Sequence, residues 1–328
     1  MRNREEERKI VNLARENNIR ILGPNVFGIY SSNAPLNAAF GPSYIKPGKI
    51  AIITQSGAIG GGMIGKSAIE GIGLSAIVSV GNKADLNEAD ILQYFKQDSR
   101  TNVILMYIEG VKDGNRLVEI LKDITLKKHV VVIKSGRSKR GALAAASHTG
   151  SLAGSDEVFS GVAKQCGILR AESIEEAFNW AKVLADEPMV KGENAVIITN
   201  GGGLGVMCTD ACEKYGVPLM EDSDMLHDIF KDVMPPFGSA RNPIDLTGEA
   251  GPDEYRRALE KALESRNIDA VLALYCETAL LDIKRMSDVL IKTSKLYRNN
   301  KPLLFSIFGG EGAEKLPIFS EKTRCTGI

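Results

Sequence analysis

The chain carries no excess of either charge: 41 lysines and arginines are matched by 41 aspartates and glutamates. Without a basic surplus it lacks what neutralises phosphates, which excludes a general nucleic-acid or anionic-membrane binder. Cysteine is scarce and wrongly spaced. Cys166, Cys208, Cys212, Cys276 and Cys325 are five in number with no C-x-x-C pair, so they form neither a disulfide framework nor a zinc site. Cys208 and Cys212, four apart on an expected helix, read as buried packing. Long apolar runs are missing as well. The uncharged, largely apolar run between Lys49 and Lys66 is broken by Gly57, Gly60, Gly61, Gly62 and Gly65, and falls short of the ~20 apolar residues of a membrane span. The opening MRNREEERKI lacks the apolar stretch of a signal peptide. A soluble, cytoplasmic protein is expected.

What the chain does have is glycine and a strand–helix rhythm. Glycine stands at 33 of 328 residues, gathered in a few tight clusters that mark particular loops. Short β-branched runs at 50–54, 76–80, 103–108, 130–134, 195–199, 270–275 and 303–307 suit strands buried on both faces. Between them lie amphipathic patterns such as 87–97, 115–126, 173–184 and 254–264. That alternation predicts an α/β fold with parallel sheets and right-handed crossovers.

The chain also repeats itself. Ile52-Ile53-Thr54-Gln55-Ser56-Gly57 aligns with Ile197-Ile198-Thr199-Asn200-Gly201-Gly202. Asn82-x-x-Asp85-Leu86 aligns with Asn242-x-x-Asp245-Leu246, and Val103-x-x-x-Tyr107-x-Glu109 with Val271-x-x-x-Tyr275-x-Glu277. The offset grows only between elements, as loop insertions would make it. Two tandem flavodoxin-like domains are expected, at 46–187 and 188–328, divided at Asp186-Glu187-Pro188 because the residue before proline disfavours helix. Residues 1–45 belong to neither copy: 5–17 reads as a charged helix and 19–22 as a strand, the tail of a larger domain. Both ends of the chain read as cut.

Three constellations carry chemistry. The turns Gln55-Ser56-Gly57 and Gly201-Gly202-Gly203 each follow a strand and open a helix, where unpaired amides and the helix dipole favour an anion such as phosphate. Residues 135–156, SGRSKRGALAAASHTGSLAGSD, form a long small-residue stretch read as a loop, with His148 in its middle. An imidazole there is open to work as general base, metal ligand or phosphoryl acceptor, and no second His or Cys is spaced to complete a metal site. His129 and His227 read as structural or solvent-facing. Glu109 closes a strand, where parallel sheets bind their ligands, and its carboxylate is placed to accept the Nδ1 proton of His148 and leave Nε2 as nucleophile.

Together with Gly23-Pro24-Asn25, Pro35-Leu36-Asn37-Ala38, Gly81-Asn82-x-x-Asp85, Ser147-His148-Thr149-Gly150-Ser151 and Asn242-Pro243-x-Asp245-Leu246, these residues resemble the NDP-forming acyl-CoA synthetases. The resemblance is to their α chains, relatives of succinyl-CoA synthetase, and above all to ADP-forming acetate–CoA ligases. It implies that residues 1–45 are the tail of a Rossmann-like CoA-binding domain, with Asn25 at the cofactor, followed by two CoA-ligase flavodoxin-like domains of the succinyl-CoA synthetase type. It implies a relay in which acyl-CoA and phosphate give an acyl phosphate, the phosphoryl group passes to His148 oriented by Glu109, and ADP receives it. It further implies phosphate held at Gln55-Ser56-Gly57 and Gly201-Gly202-Gly203. CoA, and ATP or ADP with Mg on a partner ATP-grasp chain, are the implied cofactors. Val26 stands where relatives commonly carry Cys.

Other classes fit the residues less well. A Ser56, Glu109, His148 hydrolase has the right chain order but lacks the G-x-S-x-G elbow. A nicotinamide dehydrogenase would need a clean G-x-G-x-x-G followed by an acid, which is not there. A truncated relative serving as a binding or regulatory subunit remains the main alternative to the ligase.

Overall fold

The computed structural model describes residues 4–42, 44–149, 154–278, 282–297, 300–310 and 313. Two compact units divide the chain, Met1–Ala185 and Asp186–Ile328.

In the first unit, helix α1 (Arg4–Glu16) precedes the hairpin β1 (Gly28–Ser31) and β2 (Leu36–Ala39). Then β3 (Pro47–Thr54), α2 (Gly57–Ile69), β4 (Leu74–Ser79), α3 (Glu88–Gln97), β5 (Val103–Ile108), α4 (Gly114–Ile124) and β6 (His129–Lys134) alternate strictly. Helices α5 (Lys139–Thr149) and α6 (Asp156–Gln165), strand β7 (Leu169–Ala171) and helix α7 (Ile174–Asp186) complete the run. The sheet order is β2-β1-β4-β3-β5-β6-β7, parallel from β4 to β7 and antiparallel at the β1–β2 edge. Because the central strands are apolar on both faces, two cores form. One joins Ile53, Ile104 and Val132 to α3, α4 and α6; the other joins Ile52, Leu105 and Ile133 to α2 and α7.

Helices α2, α3, α4 and α6 each start where a side chain can take up an orphan amide. Ser56 Oγ accepts from the Ile59 amide at 3.3 Å, and Asn87 forms a reciprocal box with Asp90. Asp113 receives the Arg116 amide and Ser155 the Val158 amide.

The second unit holds β8 (Ala195–Thr199), α8 (Gly202–Tyr215), α9 (Ser223–Phe230), β9 (Ile244–Asp245), α10 (Pro252–Glu264), β10 (Ala270–Cys276), α11 (Ile283–Tyr297) and β11 (Leu303–Phe308). Its parallel sheet runs β11-β10-β8-β9. Within the first unit the stretch β6-β5-β3-β4 has the same order, so the repeat seen in the residues is a repeat of topology. Among the described residues, no helix is long and apolar enough to cross a membrane.

Two expectations need correction. No strand forms over 19–22. The Ile21 amide is taken by Asp85 Oδ2 at 2.9 Å, and the carbonyls of Ile21, Gly23 and Pro24 accept from Leu86, Ala84 and Asn82. Gly81 makes this approach possible, since a Cβ there would sit 2.4 Å from the carbonyls of Pro24 and Asn25. The strands near the N-terminus are instead β1 and β2, so residues 28–39 extend the first unit's sheet. The stretch 135–156 is likewise not one loop. Gly141-Ala142-Leu143-Ala144-Ala145-Ala146 is rich in strong helix formers, and α5 runs through it to Thr149, started by Ser138 Oγ on the Gly141 amide.

Candidate functional site

The carboxyl end of the first unit's sheet is built around one β–α turn. Thr54, the last residue of β3, folds back on it: its hydroxyl donates to the Ser56 carbonyl at 2.7 Å and accepts the Ser56 amide at 3.1 Å. This directs Gln55 sideways. Gln55 Oε1 accepts the amides of Glu109 at 2.9 Å and Gly110 at 3.2 Å, and also the Lys83 ammonium at 3.3 Å. The second unit repeats the device. Thr199 Oγ1 pairs with the amide and carbonyl of Gly201, and Asn200 holds Cys276 through both its amide and its carbonyl. Asn200 is one methylene shorter than Gln55, and it reaches a residue inside β10 where Gln55 reaches past the end of β5.

Glu109 is buried at 7% exposure, immediately after β5. Burial first, and the nearby Glu109 carboxylate, push the Tyr107 phenol above the usual tyrosine range, against the opposing effect of Ser135. Lys134, the last residue of β6, donates to the carbonyls of Glu109 (2.9 Å) and Ser135. Burial lowers its ammonium pKa below that of a free lysine. Lys83 lies on the other side, donating to the Gly110 carbonyl and pairing with Glu88 at 3.0 Å.

The segment that leaves β6 is braced on both flanks. Arg137 pairs with Glu172, and Arg170 reaches Asp156 Oδ1 at 2.5 Å at the first residue of α6. Between these braces α5 carries His148, one residue before the helix ends. The structure therefore places this histidine on a helix, not within the loop that the sequence suggests. Gly150 and Ser151 of its motif lie outside the described residues.

The remaining predicted positions are distributed as follows. Ser56 spends its hydroxyl oxygen capping α2, leaving the backbone amides of the first turn as the groups a phosphate would meet. Gly201 precedes α8 with no side-chain cap, and Gly203 stands open. Gly202 faces Asp245, whose Oδ2 would lie 3.2 Å from a Cβ there, so a carboxylate already sits at that helix end. Asn25 takes a left-handed conformation with φ of 60° in the segment that crosses Gly81. His129 opens β6, half-buried, and burial lowers its pKa; His227 lies on α9. Cys212 is buried and Cys208 half-buried, as packing residues would be, while Cys325 lies outside the described residues.

Three residues around Glu109 escaped the sequence reading as site residues: Tyr107, Lys83 and Lys134. Lys134 left a signal, a lysine ending the otherwise apolar run HVVVIK at a strand's carboxyl end.

The profile of the succinyl-CoA ligase like flavodoxin domain matches residues 47–184, and that of the ligase-CoA domain matches residues 195–317. The α subunit of acetate–CoA ligase (ADP-forming) I from Pyrococcus furiosus is 50% identical over 316 residues, covering 96% of this chain and 68% of that protein. The chain belongs to the ADP-forming acetate–CoA ligase family. Its fold agrees with that of the dinucleotide-forming acetyl-coenzyme A synthetase 1 of Ca. Korarchaeum cryptofilum, solved with phosphate and ADP. The TM-score is 0.95 at 40% identity, over 99% of this chain and 71% of that one. The 4-hydroxybutyrate–CoA ligase (ADP-forming) of Nitrosopumilus maritimus is 36% identical, and this chain spans 45% of its length. In this family frame, Glu109, the helix bearing His148 and the first turn of α2 all belong to a single unit. The carboxyl ends of β3, β4, β5 and β6 supply the polar groups around Glu109.

Proposed function

We propose that this chain is the phosphoryl-relay component of an ADP-forming acid–CoA ligase, interconverting acyl-CoA, ADP and phosphate with acid, CoA and ATP. The observation that carries the reading is Glu109. It is a buried carboxylate after the central strand β5, with its backbone held by Gln55, beside the strand end from which the His148 segment departs.

In the forward direction a phosphate oxygen attacks the acyl carbon, the thioester bond breaks and CoA leaves as the thiol, giving an acyl phosphate. The imidazole of His148 then attacks phosphorus, the bond to the acyl oxygen breaks and the free acid departs. The Glu109 carboxylate takes the imidazole N–H, which fixes the tautomer and stabilises the cationic ring that develops. The amides at the start of α2 favour the phosphoryl oxyanions, by roughly 0.3–1 kcal/mol for a helix terminus and more when partly buried. The start of α8 offers the same groups, moderated by Asp245. Phosphohistidine then yields its phosphoryl group to ADP.

Relatives named as α subunits imply a second subunit, and we assign to it an ATP-grasp fold that binds ADP or ATP with Mg. CoA is the thiol substrate, with Asn25 in the segment assigned to its binding. A cytoplasmic setting fits these metabolites.

The test supplies acetyl-CoA and labelled phosphate to the chain assembled with its ATP-grasp partner. Acid-labile, alkali-stable label that disappears in His148→Ala supports the relay. Glu109→Gln is expected to label about 100-fold more slowly. Acid-stable label on Ser56, or none on wild-type protein, would overturn it.

A further inference from the structure

The peptide that carries Glu109 is held more tightly than a strand end requires. Its amide and that of Gly110 go to Gln55, the Glu109 carbonyl to Lys134, and the Gly110 carbonyl to Lys83. Lys83 and Lys134 are 3% and 4% exposed. Two ammonium groups so deeply buried are costly, and packing alone would be served better by apolar side chains of similar length. Lys83 meets that cost with the buried carboxylate of Glu88 at 3.0 Å.

Lys134 does something else. From the last position of β6 its ammonium reaches the Glu109 carbonyl at 2.9 Å and the carbonyl of Ser135. Ser135 is the first residue beyond β6, where the segment leading to α5 and His148 begins, and its own amide is bound to the Ile108 carbonyl at 3.0 Å. The ammonium therefore joins the carboxylate-bearing peptide and the root of the histidine-bearing segment in one short hydrogen-bonded link.

We propose that Lys134 is a positioning residue of the relay, setting the register between Glu109 and the root of the His148 segment, with Lys83 bracing the opposite side of the same peptide. This rests on the assignment of His148 and Glu109 made above. A lysine supplies three donors on a flexible stem, enough to serve both carbonyls at once. A neutral apolar residue there would leave them unpaired and let the two elements drift apart, and small misplacements of reacting groups cost large factors in rate.

The experiment compares wild type, Lys134→Met, Lys134→Gln and Lys134→Arg, each assembled with the ATP-grasp partner and given acetyl-CoA and labelled phosphate. Hydrogen exchange over peptides 107–112 and 134–138 is followed in parallel. Lys134→Met is expected to keep the wild-type circular dichroism, exchange faster in those two peptides only, and label His148 at least tenfold more slowly at saturating substrates. KM for phosphate should stay within about threefold of wild type, and Lys134→Arg should recover part of the rate. Should Lys134→Met fail to fold, Lys134→Gln, which retains a donor, carries the same expectation with a smaller loss of rate.

Wild-type labelling rates in the folded Met or Gln variant, or a change in KM alone, would overturn the role of Lys134 while leaving the relay intact. No label on wild-type protein, with exchange still altered in the variants, would overturn the relay itself and with it any part for Lys134 in the reaction.

Discussion

The side-chain oxygen of Gln55 lies 2.9 Å from the amide nitrogen of Glu109, across from β3 to the end of β5. It also serves Gly110 and Lys83. Gln55→Leu would strand two buried amides and take one of its partners from the Lys83 ammonium, at a cost of about 2–3 kcal/mol. Urea unfolding of the variant should show that loss. The counterpart Asn200→Leu removes the pair of bonds to Cys276 in the second unit and should cost a similar amount, without slowing the labelling of His148.

Asp85 anchors the chain's first helix to the sheet. Its carboxylate receives Arg15 at 2.7 Å, Arg20 at 2.8 Å and the Ile21 amide at 2.9 Å. The hydrogen bond from Arg20, above all, holds its pKa far below the ordinary aspartate value of about 3.9, against the opposing effect of burial. A carboxyl depressed on folding stabilises fully above its unfolded value and loses that contribution as pH falls toward the folded one. Asp85→Asn should therefore cost about 1–3 kcal/mol at pH 7, the arginines being half-exposed, and the gap to wild type should narrow from pH 5 to pH 2. Urea titrations at several pH values measure it. A gap that widens on acidification would contradict the assignment.

Two glycines of α2 should respond in opposite ways to alanine. A Cβ at Gly60 would lie 2.8 Å from Thr54 Cγ2, inside the turn that aims Gln55, so Gly60→Ala should destabilise by roughly 1–3 kcal/mol. Gly65 has open space where its Cβ would be, and Gly65→Ala should stabilise by about 0.5–1 kcal/mol through helix propensity. Thermal melts of the two variants decide both.

The thiol of Cys208 is pushed up to about 12, by burial first and by its neighbour Cys212 second. At pH 8 its thiolate is then so rare that alkylation should run on the order of a thousandfold slower than for a free cysteine. Peptide mass spectrometry after timed treatment with iodoacetamide reads this directly. Rapid modification of Cys208 in folded protein would show that the helix face is not packed.

Much of this protein was decided locally, and so could be read in the residues. Apolar runs of strand length with helical patterns between them can satisfy themselves only as a parallel sheet covered on both faces. The recurrence of Thr-Gln-Ser-Gly as Thr-Asn-Gly-Gly carries the same turn into both units because the threonine hydroxyl acts within two residues. The place of Glu109 just beyond a strand was legible too. Distance along the chain hid the rest. Residues 19–22 look like a strand, yet the amide and carbonyl of Ile21 are claimed by Asp85 and Leu86, more than sixty positions away. The small residues before His148 suggest a loop, but alanine's helix propensity prevails once Ser138 caps the turn. Lys83 and Lys134 are ordinary lysines in the sequence; only the convergence of the ends of β4, β5 and β6 puts them on the carbonyls of Gly110 and Glu109. Local propensity and pattern determine which elements form, whereas the partners of a buried charge depend on which strand ends the tertiary fold brings together.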